Sequence, residues 1–101
     1  FVFEDLLSVD DRGIQAILKE VSTDDLKLAL KLASDDLKTK IFGCMSSRAV
    51  EMLKEDMEIM GPTRVKDVEG AQQAIIKIAK RLEQEGKIQL MSGGGGEDEF
   101  V

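Results

Sequence analysis

Apolar residues recur along this chain at the three-to-four-residue spacing of helices that bury one face. Acidic pairs, serines and glycines interrupt this spacing and divide the chain into six predicted helices. These helices cover about Glu4–Ser8, Asp11–Val21, Thr23–Ala33, Asp35–Cys44, Ser47–Met60 and Lys66–Glu85. Only Lys87–Leu90 has a short alternation that would also suit a strand. The pattern therefore predicts an all-α fold.

The last predicted helix has the clearest pattern and is about 30 Å long if it is continuous. One stripe along it is apolar and consists of Val68, Ala71, Ile75, Ile78, Ala79 and Leu82. We expect this long C-terminal helix to lie across the shorter helices and to end at Gly86. Residues 91–101 contain four glycines and three acids, which cannot form a core. We therefore expect a domain over residues 1–90 followed by a flexible, disordered tail.

Three acidic pairs mark the starts of predicted helices: Asp10-Asp11, Asp24-Asp25 and Asp35-Asp36. Carboxylates at these positions suit the positive end of a helix dipole and can cap free backbone amides. The second and third pairs belong to a near repeat, Thr23-Asp-Asp-Leu-Lys27 and Ser34-Asp-Asp-Leu-Lys38, with a spacing of 11 residues. We interpret it as a start signal shared by short consecutive helices, and the acidic pairs as helix caps rather than catalytic acids.

Composition indicates one small domain and narrows the range of partners. The chain has 101 residues, of which 14 are basic and 20 acidic, for a net charge of −6. Because no basic stripe is present to displace counterions from phosphates, binding to nucleic acid or to anionic membranes is disfavoured. No run of about 18 apolar residues occurs, so we expect no direct membrane insertion. The chain begins with Phe1 instead of Met, and we expect it to be a fragment or a processed product.

The chain contains little that catalysis or metal binding requires. It has no histidine to activate a nucleophile, and its one cysteine, Cys44, is predicted to be a buried core thiol. One cysteine without histidine argues against a zinc site, and the acids lack the spacing of a calcium-binding loop. Gly93–Gly96 is not followed by the lysine and hydroxyl residue of a phosphate-binding loop. We predict no enzyme activity, no cofactor and no metal site.

The helix predicted at Ser47–Met60 is charged against its own dipole. Serines can cap its start, and Gly61-Pro62 is a common helix stop. Its first turn carries Arg48, and its last two turns carry Glu55, Asp56 and Glu58. Each such placement costs about 0.3–1 kcal/mol at an exposed site. A helix selected for stability alone would not carry these charges.

A helical wheel divides the same helix into two faces. The core face carries Ala49, Val50, Leu53, Met57 and Met60, and the opposite face carries Arg48, Glu51, Glu55 and Glu58, with Met52 and Ile59 near it. Glutamates three and four positions apart repel one another by about 0.2–0.5 kcal/mol per pair. Two interpretations stay open, an ordinary solvated face or a docking surface for a partner that carries both charge signs.

Several short sequence motifs together are specific for one protein family, although each motif alone is weak evidence. They are Phe1-Val2-Phe3-Glu4-Asp5-Leu6, Leu30-Lys31, Met45-Ser-Ser-Arg-Ala49, Met52-Leu-Lys-Glu-Asp56, Gly61-Pro62-Thr63-Arg64 and the glycine-rich acidic end. Together they resemble the family of C-terminal domains of the flagellar motor switch protein FliG, over essentially the whole chain. The resemblance implies a six-helix, armadillo-like bundle without enzymatic activity. It also implies a place in the rotor ring of the flagellar basal body, at the cytoplasmic face of the inner membrane.

The resemblance further implies torque transmission, a part in switching the direction of rotation, and a set of partners. These are the cytoplasmic loop of the stator protein MotA, neighbouring copies of the same protein, and ring proteins of the FliM and FliN type. The family's functional charges match Lys31, Arg48, Glu55, Asp56 and Arg64, and Phe1-Val2-Phe3 resembles the family's hinge with its Met cut away. Two alternatives stay open: a purely structural helical scaffold, and a Mg²⁺-sensing cytoplasmic domain of a transporter.

Overall fold

The computed structural model describes residues 2–88, which form one 3₁₀ helix and five α-helices. They are the 3₁₀ helix Phe3–Ser8, α1 (Asp11–Leu18), α2 (Thr23–Leu30), α3 (Asp35–Gly43), α4 (Ser47–Met60) and α5 (Val65–Gln84). No strand occurs among the described residues, so the prediction of an all-α fold with six helices is confirmed. Phe1, the end of the strand candidate at Leu90 and the predicted tail lie outside the described residues.

Each of the first four α-helices begins at a side-chain cap. The capping oxygens of Asp10, Ser22, Ser34 and Ser46 accept hydrogen bonds at 2.9–3.2 Å from the backbone N–H three residues further on. These caps are 12 residues apart, whereas the sequence repeat is 11 residues long, because Ser22 and not Thr23 caps α2. The acidic pairs of α2 and α3 lie in the first turns, so their predicted role as caps is wrong. They complement the dipole there, and serines make the cap bonds.

The first two α-helices end three residues earlier than predicted, at Leu18 and Leu30. Tight turns follow, in which Glu20 donates its N–H to the Ile17 carbonyl at 3.0 Å and Ala33 donates to Leu30 at 3.2 Å. Such bonds between residues three apart tighten the chain and turn it out of the helix towards the next cap. The predicted order of the helices is confirmed, and the differences are confined to their ends.

α5 packs against three of the other helices among the described residues. It lies mainly against α2 and also contacts α1 and the 3₁₀ helix. Its buried residues are Val68, Ala71, Ile75, Ile76, Ala79 and Leu82. The predicted stripe is confirmed, except that Ile78 is only half-buried and Ile76 is buried in addition. Contacts with several helices widen the buried stripe beyond one line of side chains.

Polar contacts connect distant segments of the bundle within residues 2–88. Gln72 Nε2 donates to the Ala29 carbonyl at 3.0 Å and connects α5 to α2. The Ser34 hydroxyl and backbone N–H donate to the Glu4 carboxylate at 2.6 and 3.1 Å, which connects the start of α3 to the 3₁₀ helix. Arg81 pairs with Glu20 between α5 and the turn after α1. These contacts hold the frame against which α4 packs.

α1 comes close to two other segments at Gly13, which is buried. A Cβ atom at Gly13 would overlap Val9 Cγ1 and would lie 2.9 Å from Asp10 Oδ1 and 3.2 Å from Ile88 Cβ. Interiors are close-packed, so an added methyl group would have to displace these atoms. Gly70 lies on the exposed side of α5, and a Cβ atom there would meet nothing within 4 Å.

We predict that Gly13→Ala lowers the free energy of unfolding by about 1–3 kcal/mol, because the methyl group overpacks the contact with Val9. Gly70→Ala is the matched control and should raise the free energy of unfolding by about 0.5–1 kcal/mol, because alanine favours an exposed helix. Urea unfolding followed by circular dichroism measures both. A Gly13→Ala variant as stable as the parent chain would contradict the close approach.

Candidate functional site

α4 lies at the edge of the bundle and packs through a narrow strip. Its main neighbour is α2, and Leu53 is its one buried residue, with 2% of its surface exposed. The rest of the predicted core face is half-buried and consists of Ala49, Val50, Met57 and Met60. The direction of the core face is confirmed, and its burial is lower than expected because α2 covers only part of it.

The opposite face of α4 is open to solvent and carries most of the predicted charges. We call six exposed residues the α4 ridge; they line one shallow depression of about 420 Å³ and are Arg48, Glu51, Met52, Lys54, Glu55 and Glu58. Met52 is 57% exposed, and the nearby Ile59 is 82% exposed. Charged and apolar surface therefore lie together on α4, as the wheel predicts, and the structure adds Lys54 to the group.

The charges of the α4 ridge have no ionic partners inside the bundle. Among residues 2–88, no ion pair within 4 Å involves any of them, whereas Arg81 pairs with Glu20 and Lys40 lies 3.8 Å from Asp11. Lys54 instead lies over the Phe42 ring, 5.3 Å from its centroid. Arg48 and the ridge glutamates are therefore solvated and free to meet the charges of a partner.

The placement of these charges against the helix dipole is confirmed. Ser46 caps the start of α4, and the structure has no acid in its first turn and no base in its last turn. With 14 residues, α4 is about 21 Å long, so Arg48 and Glu58 lie near opposite ends. The end with the acids adds their charges to the negative end of the dipole. The α4 ridge thus carries Arg48 near its start and the acids Glu55 and Glu58 towards its end, with Lys54 beside them.

Asp56 lies at the edge of α4, not on the α4 ridge. Its side chain is half-buried and borders a cleft of about 160 Å³ between α2 and α4, which Thr23, Leu26 and Met52 also line. Because Met52 borders both the cleft and the ridge, the two surfaces are continuous. The structure therefore places Arg48 and Glu55 on the exposed face of α4, and Asp56 at the edge of that face.

The two remaining predicted charges lie beyond the C-terminal end of α4. Lys31 follows α2, is half-buried, and donates a hydrogen bond from Nζ to the carbonyl of Gly61, the residue that ends α4. Arg64 is the exposed N-cap residue of α5, and its side chain makes no cap bond. Lys31 is thus engaged inside the domain, whereas Arg64 faces solvent.

The contact of Lys31 and the position of Lys54 over Phe42 were not predicted from the sequence. Lys31 and Gly61 are 30 residues apart, and no spacing rule joins residues of two different helices. Lys54 lies on the predicted charged helix, but its ring contact depends on where α3 ends. Only the fold reveals either contact.

Cys44 is half-buried, so its predicted full burial is wrong. It follows α3 and lines a groove of about 280 Å³ together with Leu18 and Ala49. Burial and then the Asp11 carboxylate raise the pKa of the thiol, and Lys40 opposes them. A raised pKa keeps the thiol protonated at neutral pH, where it is a poor nucleophile.

The residues of the predicted hinge differ in burial. Phe3 is buried in the core, whereas Val2 is exposed and its backbone N–H donates to the Asp5 carboxylate at 2.8 Å. Phe1 lies outside the described residues. Phe3 therefore anchors the 3₁₀ helix to the bundle, and a bend of the chain would have to lie before it.

The described residues provide no cluster of metal ligands. Between residues 2 and 88, no three acidic or thiol side chains come close enough to hold a metal ion. Across the same residues, no helix is both long enough and apolar enough to span a bilayer.

Comparison with known proteins identifies relatives over nearly the whole chain. The family model of the FliG C-terminal domain matches residues 1–90. The chain is 61% identical to the flagellar motor switch protein FliG of Thermotoga maritima over 97 residues, which are 96% of this chain and 29% of that protein. It is 50% identical to the FliG of Bacillus subtilis over 101 residues, which are 100% of this chain and 30% of that protein. The chain thus spans less than a third of the length of these curated relatives.

Solved structures of relatives have the same fold. A crystal structure of FliG from H. pylori superposes with a TM-score of 0.86 at 44% identity, over 88% of this chain and 39% of that one. The structure of full-length FliG from Aquifex aeolicus gives a TM-score of 0.83 at 40% identity, over 85% of this chain and 27% of that one. These relatives favour neither the scaffold alternative nor the transporter alternative.

We predict that α4 depends on one buried anchor. Leu53→Ala should lower the free energy of unfolding by about 2–5 kcal/mol, because it leaves a cavity under the helix. Ile59→Ala in the same helix is the control and should change stability by about 0.5 kcal/mol or less, because Ile59 is solvated. Urea unfolding measures both, and equal effects of the two substitutions would contradict the orientation of α4.

We predict that Asp11→Asn lowers the pKa of Cys44, because it removes a negative charge that opposes ionisation of the thiol. At a fixed pH just below this pKa the thiolate fraction rises, so Cys44 should react faster with iodoacetamide. Lys40→Met should have the opposite effect, because it removes the cation that favours the thiolate. Alkylation rates measured against pH test the order of the three midpoints, and any other order would contradict these electrostatic contacts.

Proposed function

Because the chain belongs to the family of FliG C-terminal domains, we propose that it is the part of a flagellar rotor protein that receives torque from the stator. The α4 ridge is the surface of contact. The observation that carries this proposal has two parts. The ridge charges are exposed and have no ionic partner within residues 2–88, and Arg48 and Glu58 lie at the helix ends where the dipole disfavours them. Such charges weaken the free helix and gain only from an external partner.

Exposed ion pairs suit a contact that must be made and broken repeatedly. Each exposed pair contributes about 0.2–1 kcal/mol, so single contacts form and separate quickly. Complementary charges also steer the partner onto the ridge before contact. Arg48 at one end and Glu55 at the other require a partner segment with both charge signs, in the reverse order. Asp56 and Arg64 extend the charged surface towards α5.

The resemblance to the FliG family supplies the partner, which is the cytoplasmic loop of the stator protein MotA. Neighbouring copies of the rotor protein and ring proteins of the FliM and FliN type are further partners, reached through the rest of a longer chain. In that setting the domain lies in the basal body, at the cytoplasmic face of the inner membrane, and acts without catalysis. A hinge at Phe1 and Val2, which precede the buried Phe3, connects it to a preceding domain and takes part in switching.

We predict that the double reversal Arg48→Asp with Asp56→Arg impairs motility without unfolding the domain. The net charge is unchanged, but each stator contact on these residues becomes repulsive, so motor torque should fall about twofold or more. The test replaces the matching C-terminal segment of Bacillus subtilis FliG with this chain and measures bead rotation and swimming.

The matched control is Lys80→Asp with Glu83→Arg on α5, where both residues are exposed helical charges outside α4. It should leave torque unchanged. Circular dichroism of both double variants checks that the fold persists. Normal swimming and normal stator engagement with the reversed ridge would overturn the proposal and favour a scaffold, whose charges have no role.

A further inference from the structure

α4 ends differently from the other helices within residues 2–88. In the 3₁₀ helix and in α1, α2, α3 and α5, the backbone N–H of the C-cap residue donates to a carbonyl of the last turn. Gly61 makes no such bond at the end of α4, and the next residue is Pro62, which has no N–H. The backbone that follows α4 therefore does not close the helix in the usual way.

Lys31 reaches this open end from another helix. Its Nζ donates to the Gly61 carbonyl, and Lys31 itself is the half-buried C-cap residue of α2. A lysine with a partly buried stem is held by packing along its length, and only its ammonium group is free to reach out. Gly61 has a φ of +69°, a conformation that favours glycine and turns the chain out of the helix. Gly61 thus both turns the chain out of α4 and accepts the hydrogen bond from Lys31.

Charge strengthens the same contact. The last two turns of α4 carry Glu55, Asp56 and Glu58, and no base lies in its last turn. A cation at a helix C-terminus is stabilising because it lies at the negative end of the dipole. Lys31 supplies from α2 the cation that α4 lacks, at the end where its own charges are least favourable.

We propose that Lys31 is a positioning residue that clamps the C-terminal end of α4 to α2, and that it is not a charge presented to the stator. Leu53 holds the middle of α4 in the core, and Lys31 holds its end. The direction of the α4 ridge is fixed at these two points. The clamp stands on the geometry alone, whereas its consequence for torque rests on the proposed function.

The clamp can be observed directly in the 101-residue chain. A hydrogen bond from a lysine ammonium group to a carbonyl gives a scalar coupling between Nζ and the carbonyl carbon in nuclear magnetic resonance spectra. We expect this coupling between Lys31 and Gly61, together with slowed proton exchange of the Lys31 ammonium group. This measurement needs no substitution and so does not depend on whether a variant folds.

Substitutions then distinguish a Lys31 that clamps α4 from a Lys31 that only contributes a surface charge. Lys31→Met keeps the apolar stem and removes the donor, and amide hydrogen exchange in residues 57–60 should become about tenfold faster. Lys31→Arg keeps a cationic donor and should restore slow exchange. Lys27→Met is the matched control, because Lys27 is a half-buried lysine of the same helix that pairs with Asp24 and not with α4.

A missing coupling, or unchanged exchange at the end of α4 in Lys31→Met, would overturn the clamp. Faster exchange in Lys31→Met with rescue by Lys31→Arg supports it. In Bacillus subtilis cells, the clamp predicts that Lys31→Met lowers torque and that reversing charges in the stator loop does not restore it. Restoration by such a reversal would show a stator-facing charge and overturn the clamp. If the ridge reversals left torque unchanged, the proposed function would be contradicted. The hydrogen-exchange result for Lys31 would still support the clamp.

Discussion

The packing of α2 against α5 is the interaction on which the rest of the structure depends. α5 is the most extensive neighbour of α2 within the described residues, and both helices bury apolar side chains in the core. Gln72 adds a hydrogen bond to the Ala29 carbonyl across the same contact. α2 is also the main neighbour of α4, and Lys31 extends from its end to Gly61. One short helix therefore connects the core to the α4 ridge.

The α-helices of the domain differ in where their charges lie relative to the helix dipole. In α2 and α3 the acids lie in the first turns, where the dipole favours them, and serine caps complete the helix starts. α4 has the same kind of serine cap but the opposite distribution of charge. Its cap and Leu53 hold it in place while its exposed face remains electrostatically unfavourable. This contrast within one chain argues that the charges of α4 serve a contact rather than the fold.

Local signals account for what could be predicted from the sequence. The order of the helices, the apolar stripe of α5 and the charged face of α4 follow from periodicity and dipole rules, which involve neighbours within about four residues. Contacts between distant residues could not be predicted in this way. The bond from Lys31 to Gly61, the burial of Ile76 and the half-exposure of Cys44 each depend on which helices become neighbours. The early ends of α1 and α2 likewise reflect turns needed to reach the next helix.

The row of like charges on the α4 ridge gives ionic strength two opposite effects. Glu51, Glu55 and Glu58 repel one another at helical spacing in the free domain, so added salt relieves a strain and stabilises α4. The same salt screens attraction to a partner, since charges separated by more than about 8 Å are largely screened at physiological ionic strength. A partner with cations placed opposite the glutamates relieves the repulsion and gains attraction at once. Repulsion among the glutamates therefore lowers the stability of α4 in the free domain. Docking of such a partner removes this repulsion at the contact itself.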